Sequence, residues 1–249
     1  MSMFEDITAI EGLLQQILEE NNVSPCHGIE HARKVMNHAE NALVDYPDLN
    51  LNLKYAVLLA ALLHDADDGK FFPTHKNYEN LRSILTICKT SDLIIDKVVQ
   101  MVSLVSSSKN GDTIPNDLVG KEWMLIPRYA DRLEAIGFIG IERCYLYNIN
   151  VTPDSPLYLP TTPRPTTSVE IWFHATEERY KKYKGKSDSM IDHYYDKLLR
   201  LGLFPISNTY FDAECRVRHL PLINFLLKFG SGEIETKDDV KRYIEEHRV

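Results

Sequence analysis

Apolar residues recur at helical spacing along almost the whole chain. The first stretch, about 7–20, has the pattern of an amphipathic helix. Its apolar stripe consists of Ile7, Ile10, Leu13, Leu14, Ile17 and Leu18. A second helix is predicted over about 28–45 and a third over 53–64. The third is apolar on nearly every side from 56 to 63, so we expect it in the middle of a core.

Helical patterns continue beyond this point, and alternating strand patterns are almost absent. Further helices are predicted over about 76–88, 91–105, 126–147, 169–182, 189–201, 212–229 and 237–246. Ser91 stands where its side chain would cap the helix that follows. Gly137 and Gly140, one turn apart, would let another helix approach closely. The fold class is therefore predicted to be all-α, as a helical bundle.

The stretch 151–165 interrupts this pattern. It holds five of the twelve prolines, and proline neither donates a backbone hydrogen bond nor fits a helix interior. We therefore expect a surface loop or flap. The whole chain, 1–249, is predicted to be a single all-helical domain with a core at about 25–145, this loop, and an extension of C-terminal helices at about 168–247.

Composition is that of an ordinary globular protein and disfavours some partners. Of the 249 residues, 44% are hydrophobic and 26% are charged, and the formal net charge is −8. The negative charge disfavours duplex nucleic acid and anionic membranes as partners. No run reaches the ~18 to 20 apolar residues that a membrane span requires. An anionic substrate would need a local basic cluster.

Cysteine usage and the first residues favour a reducing compartment. The four cysteines are scattered, with no pair at metal-binding spacing, as is typical of small buried apolar residues. The first six residues lack the basic start and apolar core of a signal peptide. A cytoplasmic location is expected.

Two polar residues, His64 and Asp65, follow Leu63 directly at the end of the apolar third helix. Alone, such a pair is more often a polar cap than a metal site. His31 and Asp131 change this interpretation, since each lies among apolar neighbours on another predicted helix that could pack around the same point. Two imidazoles and two carboxylates suit one divalent ion among Mn²⁺, Fe²⁺, Co²⁺, Ni²⁺, Mg²⁺ and Zn²⁺.

These four residues resemble the metal ligands of the HD superfamily of metal-dependent phosphohydrolases. The resemblance narrows to the branch typified by YpgQ and YedJ, which is linked to nucleotide pyrophosphohydrolase activity. Three stretches carry it, at 60–71 (AALLHDADDGKF), 131–143 (DRLEAIGFIGIER) and 193–199 (HYYDKLL). It spans about 27–229 and implies an HD-domain helical bundle whose core is the 25–145 region.

Some positions depart from the pattern of this branch. Lys34 stands where the branch usually has an arginine, and 107–109 reads Ser-Ser-Lys where the branch has Ser-Phe-Lys. The loop at 151–165 is also larger than in the bacterial pattern. These differences leave the ligand set intact and bear on substrate preference.

Two side chains after the doublet are predicted to be catalytic. Asp68, four residues after His64, can reach a water on the ion without binding the ion, so we assign it proton handling. Lys70 is a catalytic cation that offsets charge developing on the phosphate. Lys109 and Arg132 are predicted to bind phosphate oxygens. Each of these charged groups could instead be a solvated surface residue.

Other histidines fill weaker roles. His27 is predicted either to support the ligands or to contact the substrate phosphate, with a purely structural role left open. His193 and His75 are weaker cases of the same assignment, and His38 is expected to be a packing residue. Asp67 is expected to be solvated or structural.

Three functions fit this sequence. The leading hypothesis is a hydrolase with one divalent ion, Mn²⁺ favoured, that acts on a nucleotide or phosphate ester. Its sharper version, release of pyrophosphate from nucleoside triphosphates, rests on the resemblance, and a homodimer is suggested by the scaffold alone. A di-iron oxygenase would need two further histidines between Asp65 and Asp131, where only His75 occurs. A non-catalytic module that binds nucleotide or a partner protein is disfavoured because all four ligands are present.

Overall fold

Every regular element in the described part of the chain is helical. The computed structural model describes residues 3–111 and 113–248, and the side chains of 3–5, 107 and 108 lie outside this description. The first helices are α1 (Met3–Glu20), α2 (Ile29–Ala42), α3 (Leu51–Leu62), α4 (Glu79–Ile87), α5 (Asp92–Ser103), α6 (Ser107–Asn110) and α7 (Ile126–Leu133). They are followed by α8 (Phe138–Asn150), α9 (Ser168–His174), α10 (Glu177–Lys182), α11 (Met190–His193), α12 (Leu199–Leu201), α13 (Thr209–Gly230) and α14 (Lys237–His247). The all-α prediction is confirmed.

The chain forms two compact units. The first consists of Met1–Asp131 with Pro205–Phe211, and the second of Arg132–Phe204 with Asp212–Val249. The single domain with a core at about 25–145 and an extension at about 168–247 stays a prediction. Among the described helices, none is long and apolar enough to cross a membrane. The predicted absence of a signal peptide falls partly on residues 1 and 2, outside the described residues.

Helix α3 is the centre of the first unit. All its residues from Ala56 to Leu62 are buried, and it packs against α2 and α5. Helix α1 buries three of the six residues of its predicted stripe, Ile10, Leu14 and Leu18. Burying one such aliphatic side chain contributes about 1.5–3 kcal/mol. The core is therefore assembled around a helix with no polar side, as predicted.

The predicted long helix at 126–147 is wrong, because the chain breaks between α7 and α8. Gly137 stands at the start of α8 with a φ of 79°, a left-handed conformation that favours glycine. A Cβ on Gly137 would lie 3.2 Å from the Cβ of Arg218 on α13, so the predicted close approach of another helix is confirmed there. At Gly140 the close neighbour is the carbonyl of Ala135 instead.

Smaller differences affect other predicted elements. The helix expected at 169–182 is divided into α9 and α10, where Thr176 caps α10 by accepting a hydrogen bond from the Arg179 amide. Between α11 and α12 the chain forms a π-helical turn, Tyr194–Leu198. Ser91 does occupy the N-cap position of α5, but its side chain makes no capping hydrogen bond.

The segment 151–165 is free of helix, as predicted, but it is a fastened strap rather than a flap. Arg164 forms a bidentate ion pair with Glu235, with distances of 2.8 and 2.6 Å. The Thr162 hydroxyl donates to Asp192 over 2.7 Å. Such charge-assisted bonds are the stronger ones in proteins, so the strap is held at several points within the second unit.

The close contact between the end of the strap and α13 gives a test of this packing. A Cβ on Gly230 would meet the Pro165 carbonyl oxygen at 1.8 Å, whereas one on Gly12 would meet nothing within 4 Å. We expect Gly230→Ala to lower the free energy of unfolding by about 1–3 kcal/mol. Gly12→Ala, the same change in an open part of α1, should raise it by about 0.5–1 kcal/mol. Urea unfolding followed by circular dichroism measures both, and a neutral Gly230→Ala would contradict the strap contact.

Candidate metal centre

The four predicted metal ligands converge in the first unit. His31 lies on α2, Asp131 lies on α7, and His64 and Asp65 lie in the turn just after α3. The Nε2 atom of His31 is 3.3 Å from Asp131 Oδ1, and that of His64 is 3.6 Å from the same oxygen. Asp65 Oδ2 is 3.4 Å from His64 Nε2 and 3.9 Å from His31 Nε2. Ligands about 2.1 Å from one ion are roughly 3.0–3.4 Å apart, so these distances are close to those of a common shell.

Both imidazoles present a ring nitrogen that lacks a partner. The Nδ1 of His64 is 2.8 Å from the Ala61 carbonyl oxygen, which can only accept, so Nδ1 carries a proton and Nε2 is the nitrogen that could bind an ion. Among the described residues, the buried Nε2 atoms of His64 and His31 make no hydrogen bond. A buried polar atom without a partner costs about 1–3 kcal/mol. A cation would remove that cost. His31, His64 and Asp131 present donor atoms close enough together to hold one divalent ion, and a second, overlapping group consists of His27, His31 and Asp65,.

The charges of the cluster stabilise one another. Burial by itself lowers the pKa of His64, but the carboxylates of Asp65 and Asp131 outweigh it and hold this pKa well above its usual range. Burial by itself would raise the pKa of Asp131, and its contacts with His31 and His64 hold it well below the usual range. The pKa of Asp65 is lowered in the same way, chiefly by His64 and then by His27. The two carboxylates are thus ionised, which is the state that binds metal, whereas His64 is held protonated without an ion, so an ion would have to displace its Nε2 proton.

The two acidic residues after the doublet have different surroundings. Asp67 is buried and accepts hydrogen bonds from the amides of Asn80 and Leu81, at 2.9 and 3.0 Å, at the start of α4. It also contacts His75 Nδ1 at 2.7 Å, so Asp67 is structural rather than solvated. Asp68 accepts a hydrogen bond from the Lys70 amide over 2.9 Å. Its assigned role in proton handling stays a prediction.

The weaker histidine predictions have different outcomes. His27 Nδ1 lies 2.7 Å from Asp65 Oδ2, so this residue does contact a predicted ligand, while its contact with substrate stays a prediction. His38 is buried and bonds through Nδ1 to the Tyr210 hydroxyl over 2.6 Å, which confirms packing. His75, through its bond to Asp67, supports the start of α4.

The cationic candidates are divided between the units. Lys70 and Lys109 are exposed in the first unit, and the side chains of Ser107 and Ser108, beside Lys109, lie outside the described residues. Arg132 is buried and His193 half-buried, and both belong to the second unit. Their assignment to substrate stays a prediction from the sequence.

Two contributors were missed by the sequence interpretation. The Ala61 carbonyl fixes the tautomer of His64, and its position three residues earlier in the chain is a signal that helical geometry could have supplied. The ring of Phe71 lies edge-on to His27, with centroids 5.5 Å apart. No spacing rule connects 27 with 71, so that contact required the structure.

Comparison with known proteins identifies the fold. No protein-family model matches the chain. A hydrolase of the HD superfamily from Bacillus thuringiensis is similar in structure, with a TM-score of 0.65 and 22% identity over 93% of this chain and 98% of that chain. Bacillus subtilis YpgQ in complex with ADP has a TM-score of 0.64 and 20% identity over 96% of this chain and 100% of its own. The fold is thus that of HD-domain proteins, as the motifs predicted.

One sequence relative is similar enough to define a family. The protein L803 of Acanthamoeba polyphaga mimivirus, itself uncharacterized, is 39% identical over 233 residues, which cover 87% of this chain and 93% of L803. The chain belongs to the same family as L803.

The half-buried position of His193 leads to a prediction about pH. Burial, and then the nearby charge of Lys197, lower the pKa of His193 from 6.5 to about 3. The unfolded chain binds this proton below about pH 6.5, whereas the folded chain does not. The contribution of His193 to stability is therefore complete above pH 6.5 and is lost as the pH falls towards 3, by up to about 1.4 kcal/mol per pH unit. In urea unfolding with EDTA present, His193→Gln should lose less stability than wild type between pH 7 and 5. Equal losses would contradict this assignment.

Proposed function

We propose that the protein is a divalent-metal-dependent phosphohydrolase that acts on nucleotides. The observation that carries the proposal is the convergence of two buried imidazole nitrogens, neither of which makes a hydrogen bond, with two ionised carboxylates. A polar set of this kind is costly in a core unless a cation completes it. The HD fold is consistent with it, because the proteins that share this fold include an HD-superfamily hydrolase.

The chain supplies defined chemistry around that cluster. A divalent ion held there would polarise a phosphoryl oxygen and lower the pKa of a water molecule. Because the Ala61 carbonyl accepts from Nδ1 of His64, Nε2 is the nitrogen that could bind the ion. Asp68 would take up the proton released during attack on phosphorus, at a carboxylate that is 22% exposed. Lys70, whose Nζ lies 3.6 Å from Asp68 Oδ2, would offset negative charge on the phosphate.

Support for a nucleotide as substrate is of two kinds. YpgQ, which shares this fold, has been solved in complex with ADP. The stretches at 60–71, 131–143 and 193–199 also resemble the YpgQ and YedJ branch. Release of pyrophosphate from a triphosphate, and phosphate binding by Lys109, Arg132 and His193, are further steps that rest on this resemblance. Mn²⁺ is the favoured ion on the same ground.

A panel of ions and nucleotides tests this function. Purified protein should release phosphate or pyrophosphate from at least one nucleotide with Mn²⁺, Co²⁺, Ni²⁺, Mg²⁺ or Zn²⁺, the two products being assayed separately. Asp65→Asn removes a ligand charge and should lower the rate by about 100-fold or more. Asp48→Asn is the matched control, because Asp48 is exposed in the loop between α2 and α3.

Two results would contradict the hydrolase function. No product with any ion, from a folded protein that binds metal, would favour the non-catalytic binding module. Two tightly bound irons per chain would favour the oxygenase.

A second variant separates proton handling from metal binding. Asp68→Asn keeps the shape of the side chain but removes its basicity, and should lower kcat by about 100-fold to 10,000-fold. Metal affinity should be unchanged, because Asp68 is not among the converging donors. Calorimetry with Mn²⁺ and steady-state kinetics check the two expectations. A normal kcat would remove Asp68 from the mechanism and leave the metal site standing.

A further inference from the structure

His27 makes a direct polar contact with the metal centre. It ends a short 3₁₀ turn, Pro25–His27, immediately before α2, and its side chain is mostly buried. Its Nδ1 atom lies 2.7 Å from Asp65 Oδ2. An ionised carboxylate oxygen can only accept, so Nδ1 carries the proton of this bond and has no lone pair to offer an ion.

The oxygen that accepts this bond is also the one that faces the cluster. Asp65 Oδ2 is the atom lying 3.4 Å from His64 Nε2 and 3.9 Å from His31 Nε2. Rotation of the carboxylate away from the cluster would therefore break the bond to His27. Asp65 lies in a turn beyond the end of α3, where the helix itself no longer restricts its side chain.

His27 is itself held in position by local structure. Its backbone amide donates to the Ser24 carbonyl over 2.8 Å, and the Gly28 amide donates to the Pro25 carbonyl over 3.1 Å. A Cβ on Gly28 would be 3.3 Å from that same carbonyl oxygen, so the turn is tight. The ring of Phe71 packs edge-on against the imidazole. The donor is thus preorganised before any ion arrives.

We propose that His27 is a positioning residue that directs Asp65 Oδ2 into the metal centre and thereby sets the affinity for the ion. Hydrogen bonds to a ligating carboxylate orient it, and their loss commonly weakens metal affinity by about 10–100-fold. The 2.7 Å separation is a hydrogen-bond length, shorter than the roughly 3.0 Å expected between two ligands of one ion. This inference rests on the proposed function only in requiring that an ion binds.

Three substitutions at one position test the role of the Nδ1 donor. The amide nitrogen of His27→Asn can take nearly the place of Nδ1, whereas that of His27→Gln lies where Nε2 was, and His27→Ala has no donor. The readout is Co²⁺ binding, by titration calorimetry and visible absorption, with no nucleotide present. We expect Ala and Gln to weaken Co²⁺ affinity about 10–100-fold and Asn to retain most of it. The Co²⁺ spectrum should keep its shape, because the ligand set is the same.

His247→Ala, which changes an exposed histidine of the second unit, is the control and should bind Co²⁺ like wild type. Wild-type affinity in folded His27→Ala would overturn the proposal. So would equal weakening by Asn and Ala, or a spectrum that shows a lost ligand. Failure of hydrolysis is a separate result, since His27-dependent Co²⁺ binding by an inactive protein would support this role and refute the enzyme. A wild-type protein that binds none of Mn²⁺, Co²⁺, Ni²⁺, Mg²⁺ and Zn²⁺ would refute both.

Discussion

The constraint on which the structure depends is a polar cluster at the end of a helix that has no polar side. Helix α3 is buried along most of its length, and its turn delivers His64 and Asp65 beside His31 and Asp131. Two buried imidazole nitrogens without partners are unfavourable by about 1–3 kcal/mol each. The surrounding aliphatic core stabilises the fold by far more than this, so the chain can hold a cluster that a divalent cation would complete.

The existence of the helices and the convergence of the four candidate ligands could be predicted because both depend on local residue types. Helix α3 is apolar on nearly every side, so it is stable only inside a core. His64 and Asp65 are polar, so at the end of a buried helix they require polar or charged partners. The break between α7 and α8 could not be predicted, since the helical spacing of 126–147 is continuous. It depends on the positive φ of Gly137 and on the approach of Arg218, 81 residues later in the chain.

The strap at 151–165 also shows that residue types alone predict only part of a local structure. Its prolines exclude a helix, and that much is readable from the residues alone. Whether such a segment is loose depends on partners that its own composition does not reveal. Arg164 binds Glu235 and Thr162 binds Asp192, and neither partner is marked in the sequence as belonging to a proline-rich loop. Local composition thus predicts what a segment cannot form, while its rigidity is set by distant residues.

Asp67 and Asp68 are adjacent residues of the same type. Their roles differ because the first backbone amides of α4 require a hydrogen-bond acceptor. The N-cap residue of α4, Tyr78, has a φ of 58° and provides no capping side chain. The amides of Asn80 and Leu81 are instead satisfied by Asp67. These bonds attach the turn after α3 to the start of α4, and the bond between His27 and Asp65 attaches the same turn to the segment before α2. Because Asp67 is committed to structure, the proposed proton handling falls to Asp68 rather than to its neighbour.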